Sequence, residues 1–248
     1  MNEKKAFPIT ALCLILINVV IFVLLDKTGG LESTINAYAM RPAAIARGEN
    51  LVTLFTSMFL HGSYGHLIGN MLFLLVFGVI LERRFGAPRF LLLYFIAGIV
   101  ASLFEVAVYS DSWVRAYGAS GAISGVVGAC LAGLPTARAP LAFLIFISWP
   151  FFSLFLPGIV SFFAFFMLVI PAIVLALTIL APLWPFVLLW IIYQLVAALK
   201  VATLGIVGGV AYWAHIAGFL AGMLLCLPIK PKMPSERVKP REEIPAIG

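Results

Sequence analysis

Ser120 stands between small residues on every side, in the stretch Gly118-Ala119-Ser120-Gly121-Ala122-Ile123-Ser124-Gly125. A serine hydroxyl is a poor nucleophile unless a neighbouring base takes its proton as it attacks. Histidine suits that task near neutral pH, and the chain has only three: His61, His66 and His215. If a helix starts at Ser120, its first N–H groups have no partner inside the helix and carry the positive end of its dipole. A hydroxyl beside such donors is a nucleophile beside a candidate oxyanion hole. The bland alternative is that the glycines serve only close helix packing.

Spacing assembles the rest. His66 and Asn70 are four apart and share a helix face. His215, Gly218 and Gly222 fall on one stripe, with Gly218 and Gly222 in the GxxxG spacing that lets helices approach closely. Gly121, Gly125 and Gly128 make a matching stripe bordering Ser120. If the two stripes touch, His215 comes to Ser120. No aspartate or glutamate is placed to complete a triad, so a two-residue dyad is expected, with His66, Asn70 and the Ser120 N–H as donors to the oxyanion. His66 and Asn70 also have a purely structural reading, as hydrogen-bond glue between helices. A metal site is not expected, because His61 and His66 are five apart with no cysteine or carboxylate joining them. Glu105 reads as a buried hydrogen bonder, and no cofactor is implied.

The elements that must position these groups are membrane helices. Of 248 residues, 63% are hydrophobic and 10% charged, with a mean hydropathy of +1.13. Apolar runs of about 20 residues recur, each long enough to cross a bilayer, and at that length only helices satisfy their own backbone in lipid. The fold class is therefore an all-α polytopic membrane protein. The net charge of +6 forms no patch suited to nucleic acid. Cys13, Cys130 and Cys226 all lie in apolar segments and read as small membrane-buried hydrophobes, not as a disulfide set or a metal site.

Spans are predicted over Phe7–Leu25, Tyr64–Leu81, Phe90–Val108, from the Ser120 stretch to about Leu134, over Trp184–Leu199 and over Leu204–Leu227. No small-residue cleavage pattern follows Leu25, so the first is expected to be retained. Residues 26–60 are a mixed loop, part of it interfacial. The nearly continuous apolar stretch 140–199 fits three crossings. Lys4, Lys5, Arg83, Arg84, Arg89, Arg138 and the tail residues Lys230, Lys232, Arg237, Lys239 and Arg241 outnumber the basic residues of the other side, which predicts both termini in the cytoplasm. Residues 1–6 are then a cytoplasmic N-terminus and 229–248 a basic cytoplasmic tail. The short N-terminus and the lack of a soluble domain point to a prokaryotic plasma (inner) membrane.

The pieces Phe59-Leu60-His61-Gly62-Ser63 through His66 and Asn70, Gly78 to Glu82, Gly118-Ala119-Ser120-Gly121, and Ala214-His215 with Gly218 and Gly222 occur together in an order that resembles the rhomboid family of intramembrane serine proteases. The resemblance covers about 7–138 and 183–228. It implies a six-helix core within 7–228, with Ser120 as nucleophile opening the fourth span and His215 as general base in the sixth. It implies an oxyanion hole of His66, Asn70 and Ser120, with His61, Gly118, Gly121, Gly218 and Gly222 in support. The implied partners are transmembrane protein substrates and membrane lipids, and the implied reaction is a cut near the outer end of a substrate helix, at small residues. Two departures stand out. The aromatic residue often found four after the nucleophile is Ser124, which leaves Tyr212 or Trp213 to orient His215. Residues 140–182 are extra and read as an inserted hydrophobic hairpin, giving eight spans in all. Two other classes compete: a catalytically silent rhomboid-like protein that binds or escorts membrane clients, and a transporter or channel. The intact Ser120, His215, His66 and Asn70 argue against the first. The scarcity of intramembrane charge argues against the second.

Overall fold

The computed structural model describes residues 7–141, 143, 180–205 and 209–227. The terminal segments 1–6 and 229–248, and nearly all of the hairpin expected over 140–182, lie outside the described residues.

The described chain is a helical bundle. α1 is Ile9–Lys27, α2 Leu31–Tyr38, α3 Pro42–Ala46 and α4 Thr53–Thr56. α5 (Tyr64–Phe73) continues through a π turn at Leu74–Gly78 into α6 (Val79–Phe85), so the second span is one unbroken rod from Tyr64 to Phe85. α7 is Ala87–Val108 and α8 Ser120–Gly133. α9 is Trp184–Thr203 and α10 Tyr212–Cys226. Four of these rods are long and apolar enough to cross a membrane, and α8 and α10 are shorter apolar helices. Together they make the six-helix, all-α polytopic membrane architecture of a rhomboid-like core. Large apolar side chains such as Leu16, Leu92 and Leu195 stand exposed on its outside, as a lipid-facing surface requires.

Sequence chemistry explains the boundaries. α1 begins after Pro8 without a capping side chain of its own. Its orphan N–H groups are met instead by the Glu82 carboxylate, which accepts from Thr10 N at 3.0 Å and Ala11 N at 2.7 Å. An anion at a helix N-terminus is favoured by the dipole as well as by the bonds. α5 starts at Ser63, whose hydroxyl accepts from the backbone N–H of His66 at 3.2 Å. Gly86 at φ +86° breaks the second rod, and Pro88 sits in the first turn of α7.

Three expectations need correction. α10 starts at Tyr212, not near Leu204, and α9 runs on to Thr203 instead of ending at Leu199. Gly205 and Gly209, both at positive φ, occupy the connection; hydropathy alone overlooks such breakers. The loop 26–60 is largely helical, in three short pieces. Two short strands also appear, β1 (Arg138–Pro140) and β2 (Leu180–Pro182), paired antiparallel with Ala139 opposite Ala181. The pairing brings residues 138–140 and 180–182 side by side.

The tightest seam lies between α8 and α10, with α7 packed against both. The two glycine stripes meet there. A Cβ on Gly222 would collide with the carbonyl of Gly125, and one on Gly218 with the carbonyl of Gly121. The core beneath is apolar, with Phe77, Phe90, Tyr94, Val126 and Val127 almost wholly buried.

Candidate active site

The seam fixes two side chains relative to each other. Ser120 is the first residue of α8, and His215 lies in the first turns of α10. With the backbones in direct contact, Ser120 Oγ and His215 Nε2 sit 2.8 Å apart although 95 residues separate them in sequence. That is hydrogen-bonding distance for a hydroxyl donating to an imidazole nitrogen.

α5 brings the second pair. Asn70 is buried and His66 half-buried, and both face the turn that precedes Ser120. Gly118 there has φ +124°, and a Cβ on it would stand 2.7 Å from His66 Nε2 and 3.6 Å from Asn70 Nδ2. Only glycine permits both that backbone conformation and that approach. The turn is tied to the loop before α5 by the Gly118 N–H, which donates to the Ser57 carbonyl at 2.9 Å. His66, Asn70, Ser120 at the start of α8, and His215 thus all border one cavity of about 860 Å³.

His61 is 1% exposed, and its Nε2 lies 3.0 Å from Asn70 Nδ2. Burial, and then the nearby His66, push its pKa down to about 3. The ring is therefore neutral, and Nε2 accepts from the Asn70 amide. One of the two Asn70 N–H groups is spent in holding the side chain, and the other remains for the cavity. His61 supports Asn70 and stands away from Ser120.

The orientation of His215 departs from expectation. Ser124, in the position of the missing aromatic, is buried and donates its hydroxyl to the Ser120 carbonyl at 2.7 Å. Tyr212 does meet the His215 ring edge-on, at 6.4 Å between centroids. Trp213 does not; its ring faces Phe104. Two residues of α9, outside the candidates read from the sequence, also reach the ring. Gln194 Oε1 is 2.9 Å from His215 Nδ1, and the Trp190 ring lies 6.4 Å from the His215 ring, inclined by 28°. Gln194 is the one amide in the apolar segment Trp184–Leu199, and a polar side chain in a membrane helix is costly enough to have marked it. Glu105 is buried in α7, which packs against both α8 and α10.

A family model described as the Rhomboid domain matches residues 48–181. That range includes Ser120, His66 and Asn70 and ends before Gln194 and His215. The chain is similar to RHOMBOID-like protein 4 of Arabidopsis thaliana, 31% identical over 181 residues, covering 73% of this chain and 34% of that protein. It is similar to rhomboid protease GluP of Bacillus subtilis (strain 168), 37% identical over 133 residues, 52% of this chain and 25% of GluP. A third similar protein, inactive RHOMBOID-like protein 8 of Arabidopsis thaliana, is 31% identical over 91 residues, 37% of this chain and 25% of that protein. The matched region thus spans between a quarter and about a third of the length of each. Because these proteins come from a plant and a bacterium, they do not single out the prokaryotic membrane that the sequence reading expected.

Proposed function

This chain belongs to the rhomboid family, and from that premise we propose that it is an intramembrane serine endopeptidase acting through a Ser120–His215 dyad. The observation that carries the reading is the 2.8 Å contact between Ser120 Oγ and His215 Nε2, set in a cavity that His66 and Asn70 also border.

The chemistry follows from the positions. Ser120 Oγ attacks a peptide carbonyl of the substrate while its proton passes to His215 Nε2. The carbonyl oxygen, now negative, is stabilised by His66, Asn70 and the Ser120 N–H. As the C–N bond breaks, the Nε2 proton goes to the departing amine, leaving an acyl ester on Ser120. Water then attacks the ester, again with His215 as base, and frees Ser120 and the second product. A helical substrate hides its carbonyls in its own hydrogen bonds, so it must unwind at the cut; glycine or proline nearby lowers that cost. Substrates are therefore transmembrane helices cut where a small, helix-weakening residue meets the cavity.

The excess of basic residues on one side supports an orientation with both termini cytoplasmic and the Ser120 end of the bundle facing outward. Residues 7–228 form the membrane domain in this reading. The 140–182 segment is an insertion that returns to its point of departure, as the pairing of β1 with β2 supports.

A second reading rests on the similarity to a relative named as inactive: a protein that binds membrane clients without cutting them. Cleavage of a reporter transmembrane helix in liposomes separates the two. The protease reading expects cleavage by the wild type and a fall of at least about three orders of magnitude in both Ser120→Ala and His215→Ala. An inert wild type that still retains the helix on co-purification supports the client-binding reading. Cleavage that persists in Ser120→Ala removes Ser120 as nucleophile.

A further inference from the structure

The far side of His215 is held by a helix that carries neither Ser120 nor His215. Gln194 and Trp190 are four apart on α9 and so share one face. Gln194 is 4% exposed, and its Oε1 lies 2.9 Å from His215 Nδ1. Trp190 is 8% exposed and lies beside the same ring. An amide oxygen can only accept a hydrogen bond, so Nδ1 carries the ring proton. A neutral imidazole with its proton on Nδ1 has its lone pair on Nε2, the nitrogen that faces Ser120 Oγ at 2.8 Å. The opposite tautomer would turn an N–H toward Ser120 and could not take its proton.

We propose that Gln194 is a positioning residue for the reaction above: it locks His215 in the Nδ1–H tautomer, and Trp190 restricts rotation of the ring. This rests on the protease reading for its consequence, but the tautomer itself is a property of the folded chain. The third member of a Ser-His-Asp triad does two things, fixing the tautomer and stabilising the imidazolium by charge. Gln194 does the first fully and the second only through its dipole. Between apolar helices that division is sensible, because a neutral amide costs much less to bury than an ionised carboxylate. It also accounts for Ser124. With the histidine supported from α9, the position four after the nucleophile is free to bond back to the Ser120 carbonyl.

The alternative is that Gln194 merely ties α9 to α10. Two readouts on the full chain separate the roles. The first is 15N NMR of histidine-labelled protein, which reports the His215 tautomer without any substrate. The second is the rate at which a fluorophosphonate labels Ser120 as a function of pH, which reports the nucleophile. The wild type is expected to show Nδ1–H. Gln194→Met, similar in length and lacking the amide, is expected to show mixed tautomers and labelling slower by at least about tenfold, with its thermal transition nearly unchanged. Gln194→Glu is expected to restore the rate and move the acid limb of the pH profile up by about one unit, since a carboxylate favours the protonated ring.

A Gln194→Met protein that keeps the Nδ1–H tautomer and the wild-type rate overturns the proposal. If that variant does not fold, the Glu variant decides, and an acid limb that stays in place overturns it equally. A wild type that is never labelled, yet whose tautomer changes in Gln194→Met, defeats the protease reading and leaves the role of Gln194 in place.

Discussion

The seam between α8 and α10 and the attachment of α9 to α10 hold the same histidine by opposite means. At the seam, glycine faces glycine and backbone meets backbone. The separation of Ser120 from His215 is therefore set by main-chain atoms that no rotamer change can move. α9 touches the rest of the bundle much more sparingly, and it reaches His215 through two side chains, Gln194 and Trp190. In the proposed reaction, the distance between Ser120 and His215 is built into the backbone, whereas the state of the histidine is adjusted by side chains. A change at the seam should then damage fold and reaction together, and a change on α9 should damage the reaction alone.

Gly222→Val is the severest way to test the first half. Its Cβ would land on the Gly125 carbonyl, which is backbone and cannot step aside. Overpacking of this kind costs about 3 kcal/mol or more. Fluorophosphonate labelling should vanish and the thermal midpoint should fall with it. A variant that loses labelling and keeps its midpoint would mean the seam is more compliant than its geometry.

Gly118→Ala breaks the site from the loop side. The added methyl meets His66 Nε2 at 2.7 Å, on a backbone at φ +124° that alanine adopts only under strain. Displacing one oxyanion donor costs roughly 100-fold in rate. Cleavage of the reporter helix should fall by that order, with a smaller loss of stability than in Gly222→Val. Equal losses of stability would place Gly118 with the seam glycines instead.

How far these features were legible follows from the same contrast. Ser120, His66, Asn70 and His215 stood out because each is polar in an apolar run, with small residues where close approach was needed. The touching stripes followed from GxxxG spacing alone. Gln194 obeys the same rule, but it lies 21 residues from His215, whereas Tyr212 and Trp213 are its neighbours in sequence. Which of several nearby side chains reaches a ring nitrogen is decided by helix rotation, and the apolar residues that flank Gln194 in α9 form no stripe from which to read it. The start of α10 was misplaced because hydropathy does not register a glycine such as Gly209 at positive φ. The β1–β2 pairing had no signal, since three-residue strands bounded by Pro140 and Pro182 carry no period.

Glu105→Gln is a milder perturbation, directed at the backbone side of His215. Glu105 is buried in α7, which packs against the helix that carries His215, and glutamine keeps its shape and one acceptor oxygen while replacing the other with an amide. The expected loss is about 1 kcal/mol, the size of one altered buried polar group, seen as a lowered thermal midpoint, with the His215 tautomer unchanged. A change of tautomer here would show that Gln194 does not hold the ring independently of the helix start.

Trp190→Leu should have the smallest effect and makes the sharpest test of the side-chain half. The indole lies nearly parallel to the imidazole at 6.4 Å, too far for tight stacking, and it also packs against Phe73 and Phe219. Leucine keeps most of the apolar contact and removes the flat wall. The hydrogen bond from Nδ1 to Gln194 remains, so the tautomer should stay Nδ1–H, and only the spread of ring orientations should widen. A widened spread lowers the fraction of time Nε2 faces Ser120, by a factor of about three for a loss near 0.6 kcal/mol. The labelling rate should drop by that factor, with the pH profile unmoved. If Trp190→Leu and Gln194→Met were equally damaging, α9 would be holding His215 by shape and not by the hydrogen bond, and the glutamine would lose its special place.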